Sequence, residues 1–564
     1  MNAGIYAAAR YMPFGDNGLL IEFGDVISLE VNRRVIALSE AIIGAKIQGV
    51  EELVPTYRSL LVRYNASKIS YEQLVFRIKD IEKTMEERSM EKVGRKIIIP
   101  VVYGGEYGPD LTDVARFHGL TEEQVVKIHS GREYRVYMVG FVAGFPYLGE
   151  VADEIATPRL ETPRLKVPAG SVGIAEKQTG IYPCEAPGGW RIIGRTPLRL
   201  FNPLQQPPVL LQLGDIVKFK PISEKEFRIT EKTSQKQPAD RFPKNKKGIK
   251  VFQVLKPGFF TTVQDLGRYG YLRYGVPISG AMDTFSLVAA NLLVANNPDD
   301  ACLEITLIGP ELQALTKTQI AITGGAASPK INGQHVPMWQ TLEVQEGAVV
   351  SFGKVESGCR AYLSIRGGVD TPPVLGSRST YVRGGFGGIN GRQLKTEDII
   401  GGFDVSLLKV GYSMPEELVP QFTGQFKARV ILGPQADMFT ERGITTFLSS
   451  QYKVTLEADR MGYRLEGPMI EHKAKADIIS DALLPGAVQI PKNGKPIMIM
   501  RDAQAAGGYP KIAVIITPDV STLGQAKTND IIEFSKITIQ QAHEKISEYY
   551  KFLNILSEML TKKS

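Results

Sequence analysis

The stretch VPAGSVGIAEKQTGIYPCEAPGGW, Val167 to Trp190, is dense in glycine and proline yet alternates like a strand. Glycine costs conformational entropy, so such a cluster marks tight turns, or backbone coming close to a ligand. A second region echoes it. LPGAVQIP (Leu484–Pro491) followed by QAAGGYP (Gln504–Pro510) repeats the turn, the alternating strand, then Gln, Gly and Tyr-Pro. LGDIVKF (Leu213–Phe219), EGAVVSF (Glu346–Phe352) and TNDIIEF (Thr528–Phe534) each resemble a turn feeding a closing strand. These echoes predict a mainly β protein built from related barrels, one in each half of the chain.

Working outward, 564 residues exceed one core and predict about three to five domains. Before the first barrel, LLIEF (Leu19–Phe23), SLLVRY (Ser59–Tyr64) and KIIIPVVY (Lys96–Tyr103) read as strands. Ser28 and a Ser70/Gln73 capping box open two helices between them, which predicts an N-terminal α+β domain over 10–95. A barrel then spans 96–222, including a short helical insert capped by Thr121 and Gln124. A charged linker covers 223–249. A first barrel of the second half covers 250–400, a second barrel 401–536, and an amphipathic helix 537–564. In that helix Ile539, Ala542, Ile546, Tyr549, Leu553, Leu556 and Leu560 keep a 3-4 spacing. Asp283 caps a helix carrying Phe285, Val288, Ala289, Leu292 and Leu293.

Composition excludes several functions. The net charge of +7 is spread out, with no basic stripe interleaved with aromatics, so nucleic acid is not the expected partner. No apolar run reaches membrane-spanning length, and the N-terminus lacks a signal peptide's apolar core. Cys184, Cys302 and Cys359 make neither a disulfide framework nor a zinc pattern, which predicts a reducing cytoplasm. The five histidines are not paired at metal-ligand spacing, so no metal site is expected.

Chemistry gathers in two places. In the first half, GFVAGFPYLG (Gly140–Gly149) presents Phe145 and Tyr147 between glycines. Arg159 and Arg164 follow, and a guanidinium fork suits a carboxylate or phosphate. Gln178 and Thr179 can hydrogen-bond an amide, and Gly188-Gly189 can leave N–H groups for an oxyanion. Gly170, Ser171, Tyr182 and Arg195 complete this set. The bland alternative is a hydrophobic plug with surface-paired arginines. In the second half, VQDLGR supplies Gln264, Asp265 and Arg268, and SGAMD supplies Met282 and Asp283. GSRSTYVRGG supplies Ser377, Tyr381, Arg383, Gly384 and Gly385, DRMGY supplies Arg460 and Tyr463, and the last barrel supplies Gln489, Asp502, Gln504, Gly507, Gly508 and Tyr509. Glycine-rich hairpin turns are the alternative here. Arg164, Gln178, Asp265 and Asp502 are the catalytic candidates. The expectation requires Arg164, Gln178, Arg383 and Gly508 to face one shared hollow.

GFPYLG, PRLKVPAGSVGIA, QTGIYP and PGGWRIIGRTPLRLF resemble the allophanate hydrolase subunit 1 family, which includes the B component of 5-oxoprolinase and the Kip-type inhibitor of a histidine kinase. VQDLGRYGYLRYGVPISGAMD, LEITLIGPEL, GSRSTYVRGGFGG, DRMGYRLEGP and GGYPKIA resemble subunit 2, the 5-oxoprolinase C type. Both also resemble the carboxyltransferase region of urea carboxylase. The resemblance runs from about residue 10 to 535, and the C-terminal helix lies outside it. It implies tandem cyclophilin-like β-barrels and a fused B–C component acting with ATP and magnesium on the lactam 5-oxoproline. The implied partner is a separate A subunit of the LamB/YcsF type, and homo-oligomers are compatible. The alternatives are a biotin-dependent carboxyltransferase acting on urea-like amides, with biotin as cofactor, and a kinase inhibitor. Two departures stand out: GFVAGFPYLG lacks the proline of GFAPGFPYLG, and DAQAAGGYP lacks the arginine and threonines of DRQTTGGYP.

Overall fold

The computed structural model describes residues 4–85, 94–235, 248–403 and 406–561. Its first unit is a four-stranded antiparallel sheet in the order Ile5–Pro13, Gly18–Gly24, Ser59–Tyr64, Val50–Pro55. Helices Leu29–Ala45 and Tyr71–Thr84 cover one face. Ser70 and Gln73 exchange both capping-box bonds, whereas Ser28 makes no side-chain cap. The run LLIEF is apolar apart from Glu22 because both its faces are buried: Leu19, Ile21 and Phe23 face the helices, and Leu20 joins a core with Leu483, Leu484 and Val514 of the second half. Two strands, Ile5–Pro13 and Val50–Pro55, are additional to the sequence expectation, and Lys96–Tyr103 belongs to the following barrel.

Two closed seven-stranded barrels follow the same path. In the first, the strands in chain order are Lys96–Tyr103, Glu133–Val139, Pro146–Gly149, Ser171–Ala175, Gln178–Ile181, Arg191–Arg195 and Ile216–Pro221. In the second they are Gln425–Leu432, Gln451–Val454, Gly462–Glu466, Ala487–Gln489, Ile497–Ile499, Lys511–Ile515 and Ile531–Lys536. Around each barrel the neighbours run first, sixth, fourth, fifth, third, second, last. The last strand lies parallel to the first in both, which closes the sheet and removes its edges. LGDIVKF and TNDIIEF are those last strands.

The echo is corrected in two respects. EGAVVSF is strand Val349–Ser351 of a different unit. And QAAGGYP matches APGGW in place, not QTGIYP. Each barrel carries a two-stranded ribbon, Arg164–Val167 with Ala186–Gly188 in one and Asp481–Ala482 with Ala506–Gly507 in the other. Both ribbons lead into the sixth strand.

The unit between the barrels is a sandwich, not the closed barrel expected over 250–400. A six-stranded and a five-stranded sheet enclose one core that includes Val254, Leu303, Ile322, Val350 and Leu363. One-face burial gives the same alternation whether a sheet closes on itself or meets a second sheet. Helix Thr284–Leu293 packs on this unit, with Asp283 as its cap. The expected linker 223–249 begins as helix Glu224–Gln235, anchored where Phe227 packs on Val102 and Tyr107; residues 236–247 lie outside the described residues. The C-terminal helix, Ile539–Thr561, docks on its own chain: Phe552 stacks on Phe285, and Ala542, Ile546 and Leu556 are buried. The Leu560 side chain lies outside the described residues.

Candidate functional site

Phe145 is buried and meets Tyr147, Tyr182 and Trp190 at ring-centroid distances of 4.9, 5.1 and 5.4 Å. The aromatic loop is therefore a packed wall. Three units join on it. Tyr57, from the N-terminal sheet, lies 5.8 Å edge-on to Tyr147, and its hydroxyl donates to Gln178 Oε1 at 2.9 Å. Ala506 and Ile479 of the second barrel pack into the same cluster. The Tyr147 hydroxyl lies near Ser480, next to the second ribbon, and Gly508 borders Ser480 too. Burial raises the pKa of Tyr57, Tyr147 and Tyr182, so all three phenols stay protonated. The exposed Arg159 guanidinium opposes that rise in each. It has no ion-pair partner among the described residues. Gln178 is held by its oxygen, which directs its NH₂ group away from Tyr57. The junction thus offers an amide donor and a guanidinium over an aromatic wall.

The ribbon beneath it needs its glycines. A Cβ on Gly188 would lie 2.1 Å from the Tyr182 hydroxyl. Gly170 holds a left-handed turn, φ 80°, with its N–H on the Tyr182 carbonyl. The Gly189 carbonyl accepts from Leu160 N–H. Gly507 approaches Gln489, whose Nε2 donates to the Tyr509 carbonyl. Tyr509 is exposed and Gln504 half-buried.

Other residues expected at this site turn elsewhere. Arg164 forms a fork on the buried Asp110, at 2.9 and 2.6 Å. Thr179 is in the barrel interior, 3.0 Å from His129 Nε2. Ser171 is fully buried, and Arg195 lies over the Tyr107 ring.

In the second half, Asp265 is a loop clamp. It accepts from the Ser377 hydroxyl at 2.7 Å, the Arg378 N–H at 2.6 Å and the Ser379 hydroxyl. Gln264 donates to Thr262 and the Thr380 carbonyl. Arg268 is buried on the Val374 and Ser379 carbonyls, and burial lowers its pKa to about 10. Asp283 receives Ser286, Ser521 and Gln525, joining the sandwich helix to the second barrel. Gly384 packs against the Tyr381 ring, and Gly385 takes a left-handed φ of 68°. Burial raises the Tyr381 pKa, with Asp502 and Cys184 adding to the rise.

Arg460 donates to both oxygens of Asp502, at 2.8 and 3.0 Å, and to Glu304. Glu304 also receives Met282 N–H and the Tyr362 hydroxyl. Arg360 donates to the Tyr463 hydroxyl at 2.9 Å. Arg460, Asp502, Tyr463 and Arg383 line a cleft of about 330 Å³ between sandwich and second barrel. Gln178 and Gly508 therefore share the aromatic junction, while Arg383 lies in the cleft and Arg164 is turned onto Asp110. The single hollow expected for these four residues is replaced by separate places.

Sequence reasoning missed a buried ionic cluster between the N-terminal sheet and the second ribbon. Lys511 Nζ lies 3.0 Å from Asp481, both without exposed side-chain surface. Ser59 donates to Asp481 at 2.5 Å, and Arg58 pairs with Glu22 at 2.8 Å. Burial, opposed by Arg58, leaves the Glu22 pKa raised to about 7. One signal was present: Arg58 sits in VPTYRSLLVRY, directly before the apolar run Leu60, Leu61 and Val62.

The family model described as carboxyltransferase domain, subdomain C and D, matches residues 9–211, and that for subdomain A and B matches 274–536. The chain is 46% identical over 223 residues to the B component of 5-oxoprolinase from Bacillus subtilis, covering 38% of this chain and 92% of that protein. It is 34% identical over 296 residues to the C component of the Escherichia coli 5-oxoprolinase, covering 52% of this chain and 93% of that protein. Among solved structures, TTHA0988 superposes with a TM-score of 0.79 at 32% identity, over 92% of this chain and 99% of that one.

Proposed function

The chain belongs to the carboxyltransferase-domain family, with its B-type and C-type halves fused, and from that premise we propose that it is the B–C component of an ATP-dependent 5-oxoprolinase. The observation that carries this reading is that one polypeptide spans over nine-tenths of both components. On this reading the enzyme is completed by a LamB/YcsF-type A subunit, which hydrolyses the activated ring to glutamate.

An unactivated lactam carbonyl is a poor electrophile, and ATP supplies the phosphoryl group that makes its oxygen a leaving group. The residues of the aromatic junction suit the lactam. Arg159 grips its carboxylate, and the Gln178 NH₂, oriented by Tyr57, donates to the ring carbonyl. The wall of Phe145, Tyr147 and Trp190 excludes water from one face.

The test is glutamate formation from 5-oxoproline and ATP by this chain with a purified A subunit. Full turnover is expected only with both proteins present. Arg159→Ala is expected to raise KM for 5-oxoproline about tenfold with a smaller change in kcat. Turnover by this chain alone sinks the division of labour. The family model's carboxyltransferase description, together with similarity to urea amidolyase, favours a second reading, carboxyl transfer to a urea-like amide. ATP-independent transfer from a carboxybiotin carrier to urea selects it.

A further inference from the structure

The cleft between sandwich and second barrel has features that the lactam reading leaves unused. Its volume of about 330 Å³ falls in the range of sites for drug-sized ligands, and a five-membered lactam leaves most of it empty. Its mouth is apolar on one side: Phe259 is 61% exposed and Val382 38% exposed. Exposed aromatic surface beside a cavity marks a recognition site. The other side is cationic. Arg383 meets Asp459 at 3.3 Å, with both side chains more than half exposed, so the pair is weak and open to a competing anion. Among the described residues Lys527 Nζ donates to the neutral Glu356 carbonyl and makes no ion pair.

The cleft also holds two orphaned polar atoms. Arg360 is 4% exposed, yet among the described residues its Nε has no hydrogen-bond partner; the nearest carboxylate oxygen, of Glu304, is 3.8 Å away. Thr306 is 9% exposed, and its hydroxyl is equally unpartnered among the described residues. A buried donor left without an acceptor is costly, and a ligand acceptor removes that cost.

We propose that this cleft is a nucleoside-phosphate site, with the base against Phe259 and Val382, the phosphates toward Arg383 and Lys527, and Arg360 Nε and the Thr306 hydroxyl as donors within it. The assignment rests on the ATP-dependent reading above.

Calorimetric titration of the full chain with ATP, adenosine and inorganic triphosphate tests it. ATP is expected to bind more tightly than either part. Phe259→Ser and Arg383→Glu, both at exposed positions, are each expected to weaken ATP about tenfold with unchanged circular dichroism. A loss below about fivefold in both variants, or no heat with millimolar ATP, overturns the site. The coupled assay separates the two claims. Normal lactam turnover with an unchanged KM for ATP in both variants removes the site and leaves the function standing. Variant-sensitive ATP binding without lactam turnover removes the function and leaves the site.

Discussion

Lys511 and Asp481 show what a single pair contributes to this molecule. A lone buried charge is costly, and each of these is stabilised chiefly by the other, 3.0 Å away. Lys511→Met removes the ion-pair partner of the Asp481 carboxylate, leaving Ser59 and Gln435 as its side-chain hydrogen-bond partners and Arg58 as the opposing charge nearby. A loss of about 3–5 kcal/mol is expected, measured by urea denaturation. Replacing the pair together, Lys511→Met with Asp481→Leu, is expected to recover most of it, because apolar residues of similar volume fill the space without a charge. Equal losses in single and double variants would contradict a charge-based origin. Arg164 teaches a related lesson. Its fork was legible in the sequence as an anion binder, but the anion it binds is Asp110, fifty-four positions earlier. Which carboxylate meets which guanidinium is decided by the fold, and local spacing carries no record of it.

At the scale of elements, the ribbons decide how the barrels meet. In the first, Gly188 lets the Tyr182 hydroxyl pass under the backbone. Gly188→Ala places a methyl group 2.1 Å from that hydroxyl, and the obstacle is the polar end of a packed ring. A destabilisation of about 1–3 kcal/mol is expected from such overpacking, read from the thermal midpoint. An unchanged midpoint would mean that the ring moves freely. The elements themselves were largely visible in the sequence where their cause is local. The Ser70/Gln73 and Thr121/Gln124 boxes form as spaced, and Asp283 caps its helix. What stayed hidden is pairing. QTGIYP and QAAGGYP look alike in sequence, yet one is the fifth strand and the other a ribbon, because partners far along the chain assign them. The same limit made a sandwich look like a barrel.

At the scale of the whole molecule, the N-terminal sheet belongs as much to the second half as to the first. Phe14, Leu20 and Leu61 share a core with Leu483, Leu484 and Val514. Asp16 receives the Thr517 N–H at 2.7 Å and its hydroxyl at 3.0 Å. Glu52 receives the Leu272 N–H at 2.6 Å, and the Tyr274 carbonyl receives the Gly144 N–H at 2.8 Å. This interface is apolar at its centre and closed by hydrogen bonds, as in permanent assemblies. The 5-oxoprolinase B and C relatives each match about half of this chain or less, over nearly their own full lengths. The covalent link between the halves is therefore expected to be dispensable for their association. A protease site inserted within 236–247, outside the described residues, allows the chain to be cut after folding. The two fragments are expected to elute together at the position of the intact chain in about 0.15 M salt, where exposed ion pairs are screened and apolar contact is not. Two separate peaks would show that the linker, and not the shared core, holds the halves in register.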